Sequence, residues 1–313
     1  MKIVVFGPDK HVGVWAGDLV VDLAPAFPDL AGLIAGGDAA LAAAAKAVEA
    51  AGTSAAPAKG VHKRADVQLH APVVPGARVA CAGGNFADHT AAMASRMGGA
   101  PMDTTDMKEL TEKLRARGIW GFWKIGREAA EPGGEIMYPG RTKRLDYEGE
   151  LAIVIGKRAK DAKKGDLKSY VWGVTLFGDW SIRDQNEGQA TFKFAMAKNF
   201  DGSFSVGPCI VVGENIDPGN VDVETWVNGD RRQQFNTRDM IISFGEYLEY
   251  LTADLTFVPG DIISGGTAKG TAADSSERVD GVAKPERFLK AGDNVEMRSP
   301  AIGTLAARIV AKH

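Results

Sequence analysis

The chain has 313 residues, 45% of them hydrophobic and 25% charged, which suffices for one sizeable core plus a small accessory domain. A formal net charge of −3 gives no electrostatic reason to expect nucleic acid or an anionic membrane as partner, and every apolar run is too short for a transmembrane helix. Cys81 and Cys209 are the only cysteines and lack metal-type spacing, and the N-terminus starts as a strand without a signal-peptide layout, so a cytoplasmic protein with reduced thiols is expected.

Residues 1 to about 35 read as a small β-meander, with a two-residue hairpin signal at Gly17-Asp18. The Ala-rich stretch 38–51 predicts a helix, and 52–60 a linker rich in Gly, Ser, Pro and Ala. A domain boundary near residue 71 follows, giving a small N-terminal α/β domain (1–71) and a β-rich α+β domain (72–313). Val79-Ala80-Cys81-Ala82 is a short apolar strand running into Gly83-Gly84, with a helix from about Asp88 that carries His89 on its first turn. The glycine pair is no dinucleotide fingerprint, because the third glycine of that spacing is absent. A charged amphipathic helix is expected over 102–117, capped by Asp103, Thr104 or Thr105, either as a solvated face or as a lid or dimer contact. Phe122-Trp123-Lys124 then places a cation beside aromatics.

The most informative stretch is Leu145 to Gly156, read as one strand that enters with Glu148 and Glu150 at i and i+2 and continues as an apolar run. Side chains two apart share a strand face, and Gly149 between them would leave the opposite face open. Two carboxylates held so close repel, and a shared proton or a cation relieves them; a hard divalent ion with oxygen ligands suits the pair. The alternative is an edge strand with two solvated glutamates. Asp179 ends a second apolar run, Tyr170 to Phe177, where it would be a third metal oxygen or a turn former. Farther on lie a buried strand at 206–212, a hairpin about Asn228-Gly229, a helix over 244–251, a strand 262–264 leading into the loop Gly265-Gly266-Thr267, and two closing strands.

With these residues in place the chain resembles the fumarylacetoacetate hydrolase superfamily from about residue 72 onward. The resemblance rests on motifs in order: Asn85-Phe86-Ala87-Asp88-His89, Asp146-Tyr147-Glu148-Gly149-Glu150, Gly178-Asp179-Trp180-Ser181-Ile182-Arg183-Asp184, Lys198-Asn199-Phe200-Asp201, Trp226-Val227-Asn228-Gly229 and Pro259 to Thr267. It implies a mixed β-roll, usually dimeric, and Mg²⁺, Mn²⁺ or Ca²⁺ bound by Glu148, Glu150 and Asp179. It further implies a 2-oxo or diketo acid as substrate, with Lys198 and Lys124 adding positive charge at its oxygens. Arg183, Gly266 and Thr267 would contact the substrate, and His89 would act as general base.

One departure bears on the reaction. Hydrolases of the family commonly carry a Glu three residues after the motif His, and here that position is Ala92. Glu109, Glu112 or Glu277 would have to replace it, His89 would act without a partner, or the reaction is not hydrolysis. A second departure is at Asn186, with Gln185 one residue earlier than the family's Gln, and the 94–120 segment implies a different pocket roof. The expectation is a divalent-metal-dependent hydrolase cleaving a C–C bond of a β-diketo or acylpyruvate-type acid. The alternatives are a 2-oxo acid lyase (a dehydratase of 2-keto-3-deoxy sugar acids or a decarboxylase), a tautomerase, or a non-catalytic binding protein on the same scaffold.

Overall fold

Stretches of β-branched and aromatic residues with period-two or continuous apolar patterning make this chain strand-rich, 26% helix against 35% strand. The computed structural model describes residues 1–52, 59–96, 102–184, 191–213, 216–279 and 282–312; Gln185 and Asn186 lie outside them. Among the described residues an eleven-stranded mixed sheet runs, in spatial order, Val61–Lys63, Leu19–Asp22, His11–Ala16, Lys2–Phe6, Phe204–Val212, Val171–Asp179, Gly149–Ile155, Ile262–Ser264, Val79–Ala82 and Gly121–Lys124, with Leu69–His70 also pairing on Lys2–Phe6. A five-stranded sheet, Asp230–Asn236, Asp222–Val227, Asn294–Ser299, Gly303–Val310 and Gly134–Met137, packs against it. Ile262–Ser264 pairs parallel to Val79–Ala82, and the other pairings along the large sheet are antiparallel.

The two sheets meet closely at Gly149. A Cβ there would fall 2.0 Å from Thr225 Oγ1, so the face opposite Glu150, expected to be open, is filled by Thr225 and Met297 of the smaller sheet. All seven residues of Gly149–Ile155 are buried, which is why the sequence shows a continuous apolar run instead of alternation.

The N-terminal meander folds as its sequence predicts, with Ala16 opposite Leu19 across the Gly17-Asp18 turn. It also joins the large sheet, because Lys2 and Ile3 pair with Val211 and Ile210. Leu69–His70, just before the expected boundary, pairs with Val5 and Phe6. A helix Leu30–Ala35, capped by Asp29, stands where the meander was expected to run on, and the Ala-rich helix spans Gly37–Gly52. The expected helix over 102–117 is shorter, Met107–Arg115, and Asp106 is its cap: its carboxylate accepts from the N–H groups of Lys108 and Glu109. Asp103 instead accepts from Thr105 N in a local turn. Asn228 and Gly229 both have positive φ, 52° and 82°, as a two-residue hairpin turn requires. No helix among the described residues is long and apolar enough to cross a membrane.

Candidate active site

The stretch expected to be a single strand is broken. Leu145–Asp146 pairs with Ser181–Ile182 in a small ribbon, Tyr147 and Glu148 link, and the long strand begins at Gly149. The break turns Glu148 and Glu150 toward Asp179, the last residue of the neighbouring strand, whose N–H donates to Glu148 O at 2.9 Å. One ligand oxygen from each of Glu148, Glu150 and Asp179 lies within 4.8 Å of the others, and all three residues are buried.

Cations and hydroxyls from other elements hold this triad. Arg183 Nε donates to Asp146 Oδ2 at 2.8 Å, and its Nη2 pairs with Glu148. Lys198, just past the helix Thr191–Ala197, sets Nζ against Glu148, Asp179 Oδ2 at 2.7 Å and Ser181 Oγ at 2.7 Å, and lies 4.8 Å from the Phe122 ring centroid. Ser264 Oγ donates to Glu150. Lys124 stands behind Asp179: its Nζ is 2.5 Å from Oδ1 and donates to the carbonyls of Lys198 and Ser203, so it does not reach the cavity surface.

These contacts split the two glutamates. Burial opposes the charge of Glu148, yet Arg183, Lys198 and His89 hold it well below the usual carboxylate range. Glu150 goes the other way: burial, with Asp179 and Glu148 close by, pushes it well above. Burial also raises Asp179, against the pull of Lys124 and Lys198. Lys198 is held above the ordinary lysine value, because Asp179 and Glu148 outweigh its desolvation.

His89 does have an acidic partner. Its Nδ1 lies 2.7 Å from Asp274 Oδ2, and Asp274 also accepts from Gly270 N at 2.9 Å. A carboxylate can only accept, so the ring proton sits on Nδ1 and Nε2 is the basic nitrogen, 3.9 Å from Glu148 Oε1. Glu109, Glu112 and Glu277, the acids weighed from the sequence, are exposed; Glu109 pairs with Lys113 and Glu277 with Lys284. Asp274 was legible after all, since Thr271-Ala272-Ala273-Asp274 has the Thr-x-x-Asp spacing of a helix start, and Thr271 Oγ1 does accept from Asp274 N. Nothing in the sequence placed that turn beside a helix 185 residues away.

Asp146 ties the two halves together. It accepts from Ala272 N at 2.7 Å and Ala273 N at 3.0 Å, fixing the turn that delivers Asp274, while it grips the Arg183 that holds Glu148. Asn85 does the same for the glycine loops, bonding Ile242 and Gly265 O, and a Cβ on Gly266 (φ +83°) would come within 3.2 Å of Ala82 O. The Gly265 N–H is already taken by Leu151 O, so it is not available to an anion. Thr267 lines the cavity, its hydroxyl donating to Gly149 O and accepting from Gln233.

The cavity has a volume of about 490 Å³. Its inner part carries His89, Glu148, Glu150, Arg183, Lys198 and Thr267; Met93, Trp120, Phe122 and Phe194 form an aromatic-rich outer part with Arg117. A divalent ion fits the inner part on charge and chemistry. Among the described residues Glu150 makes no ion pair and has only the Ser264 hydroxyl beside the neighbouring Glu148 and Asp179, and the triad offers only oxygen donors.

Comparisons with known proteins identify the family and the fold. The family model described as fumarylacetoacetate (FAA) hydrolase C-terminal matches residues 78–310. An uncharacterised protein of Methanocaldococcus jannaschii is 41% identical over 172 residues, 54% of this chain and 64% of that protein, so the match spans less than two thirds of that relative. The oxaloacetate tautomerase YisK of Bacillus subtilis is 32% identical over 251 residues, 80% of this chain and 75% of its own. Among solved structures, the fumarylacetoacetate hydrolase of Exiguobacterium antarcticum superposes with a TM-score of 0.75 at 27% identity, covering 100% of both chains.

Proposed function

The chain belongs to the fumarylacetoacetate hydrolase family, and on that premise we propose that it hydrolyses a C–C bond of an acylpyruvate-type 2-oxo acid with a divalent ion held by Glu148, Glu150 and Asp179. The observation that carries this reading is the His89–Asp274 pair, with Nε2 turned toward the carboxylate cluster. It removes the objection raised by Ala92, because the orienting acid comes from another element.

In this reading His89 Nε2 takes a proton from water, and the hydroxide adds to the distal carbonyl carbon. The bond between that carbon and C3 breaks, its electron pair passes into the 2-oxo fragment as an enolate, and C3 takes the proton back from His89. A hard divalent ion (Mg²⁺, Mn²⁺ or Ca²⁺) held by Glu148, Glu150 and Asp179 would supply Lewis-acid stabilisation of charge on the oxygens of the 2-oxo fragment. Lys198 adds positive charge at the same oxygens, Lys124 holds Asp179 from behind, and Arg183, Thr267 and Gly266 frame the substrate carboxylate. The proposal includes the division at residue 71 and a homodimer, which light scattering on the purified protein tests by mass.

A second reading, keto–enol tautomerisation of a 2-oxo acid, is favoured by the name of the Bacillus subtilis relative. It uses the same His89 to move a C3 proton and needs no water attack. Turnover of acylpyruvates and oxaloacetate with Mg²⁺, Mn²⁺ or EDTA, with products weighed by mass spectrometry, separates the two. Two fragments with water added support hydrolysis; an unchanged mass with altered keto–enol ratio supports tautomerisation; activity that survives EDTA contradicts the ion.

A further inference from the structure

The large sheet is incomplete beside the carboxylates. Ile262–Ser264 pairs with Gly149–Ile155 only as far as Ala152 opposite Ser264, and Gly265 N donates to Leu151 O at 2.9 Å as the chain turns away. Backbone groups of alternate residues face that side, so the next ones belong to Gly149, between Glu148 and Glu150, where no strand continues. Two side chains close the gap. Gly149 N donates to Gln233 Oε1 at 3.1 Å, and Thr267 Oγ1 donates to Gly149 O at 2.9 Å. Gln233 Nε2 donates to Thr267 Oγ1 at 2.8 Å and to Ala268 O at 2.7 Å, so Gly149, Gln233 and Thr267 form a closed ring of hydrogen bonds. Gln233 comes from the smaller sheet, in the strand Asp230–Asn236, and is 2% exposed. Its partners fix its orientation: the Gly149 N–H needs an acceptor and Ala268 O needs a donor. Gln is the side chain of this length that carries an acceptor and two N–H donors at one end; a carboxylate lacks the donors and a thioether lacks both. The ring also commits the Thr267 hydroxyl, whose proton goes to Gly149 O and is not available to the cavity.

We propose that Gln233 is a positioning residue, whose side-chain amide replaces the missing strand at Gly149 and thereby fixes the Glu148-Gly149-Glu150 backbone and the Thr267 hydroxyl. The inference rests on the proposed ion site, since it names what holds two of its ligands in place. Gln233 does not line the cavity, so it acts through Gly149 and Thr267. Without the amide, the Gly149 N–H, the Thr267 hydroxyl and Ala268 O each lose a partner in a buried place, and the backbone between the two glutamates is freed on one side. A merely structural amide would cost stability and leave ion binding alone. A positioning amide changes ion binding, and does so jointly with Thr267.

The test compares the parent chain with Gln233→Met, Thr267→Val and the double variant. In the ion-free protein, amide hydrogen exchange followed by NMR should be at least about tenfold faster at Gly149 in Gln233→Met, with Ile153 and Val154 at parent rates. Mn²⁺ affinity, read by electron paramagnetic resonance, should weaken about tenfold in either single variant and no more than about threefold further in the double, because both break one ring. Additive losses of about a hundredfold overturn the assignment. So do parent-like Gly149 exchange and Mn²⁺ affinity in Gln233→Met, whatever its melting temperature. Should Gln233→Met not fold, the side-chain protons of Gln233 decide: they should exchange at least about tenfold more slowly than those of the exposed Gln234 and speed up in Thr267→Val. Exchange there that is indifferent to Thr267→Val overturns the ring. A parent chain that binds no Mn²⁺ overturns the ion site, while exchange at Gly149 still decides the role of Gln233.

Discussion

The inner and outer halves of one cavity are built by different means. The inner half hangs on buried strands: Glu148, Glu150 and Asp179 sit at strand ends whose neighbours are fixed by sheet register, and each carboxylate faces a named cation or hydroxyl. The outer half hangs on side chains from the helix Ala87–Arg96, the strand Gly121–Lys124, the helix Thr191–Ala197 and the loop after the helix Met107–Arg115. Register leaves a carboxylate almost no freedom, whereas a side chain on a loop changes without disturbing the sheet. On the proposed function the inner half serves the reaction, and substitutions in the two halves should leave different signatures.

The largest effect is expected from Glu148→Ala or Glu150→Gln. Either removes a ligand of the proposed ion, and kcat/KM should fall by at least ~10³-fold, since several kcal/mol of charge stabilisation goes with the ion. Metal content of the dialysed protein should fall in step; full metal content in both variants would place the ion elsewhere. Asp274→Asn comes next. It keeps the shape but can turn an NH₂ toward Nδ1 and favour the wrong tautomer, so kcat should drop by about 10²–10⁴-fold with KM little changed. A parent-like pH–rate profile in that variant would mean His89 is not the base.

Gly149→Ala attacks the packing beneath the inner half. Its Cβ would overlap Thr225 Oγ1, so thermal melts should show a loss of about 1–3 kcal/mol, partly regained when Thr225→Ala is added. A neutral single substitution would mean that the sheets part easily there.

The two glutamates also predict a pH signature. Glu150 is raised in the fold, so its contribution to stability is full below the ordinary carboxylate pKa and is lost as pH rises through the raised value. Glu148 is depressed, so its contribution is present above the ordinary value and lost only as pH falls through the depressed one. Near neutrality the ion-free protein thus carries the Glu150 penalty, which a bound ion relieves. The rise in Tm on adding Mg²⁺ should grow from pH 6 to pH 8, and a rise that shrinks would contradict the assignment. The smallest effect is expected in the outer half, where Phe194→Ala should raise KM several-fold and leave kcat nearly unchanged.

The fold and triad were largely legible because their signals are local. An apolar run that opens with Glu-Gly-Glu, an Asn-Gly turn between alternating residues and a Gly-Gly loop after a short strand each announce a structure within a few residues. What stayed hidden depends on distant contacts. The Tyr147–Glu148 break arises because Leu145–Asp146 pairs with Ser181–Ile182, which the apolar run does not reveal. The packed face of Gly149 needs Thr225 from another sheet, and Lys2–Phe6 pairing with Phe204–Val212 carries the meander into the large sheet. The missing Glu after His89 was a true absence, but its replacement came from a short helix whose start signal stood in plain view without a target.

The most direct test of the inner half is exchange at C3 of pyruvate or oxaloacetate in D₂O, followed by proton NMR, for the parent protein and His89→Gln. Hydrolysis and tautomerisation in these readings both pass a proton between His89 and C3. The account predicts exchange faster than in buffer that requires Mg²⁺ or Mn²⁺, stops with EDTA and is lost in His89→Gln. Exchange that proceeds equally in the His89 variant, or in the presence of EDTA, would contradict it.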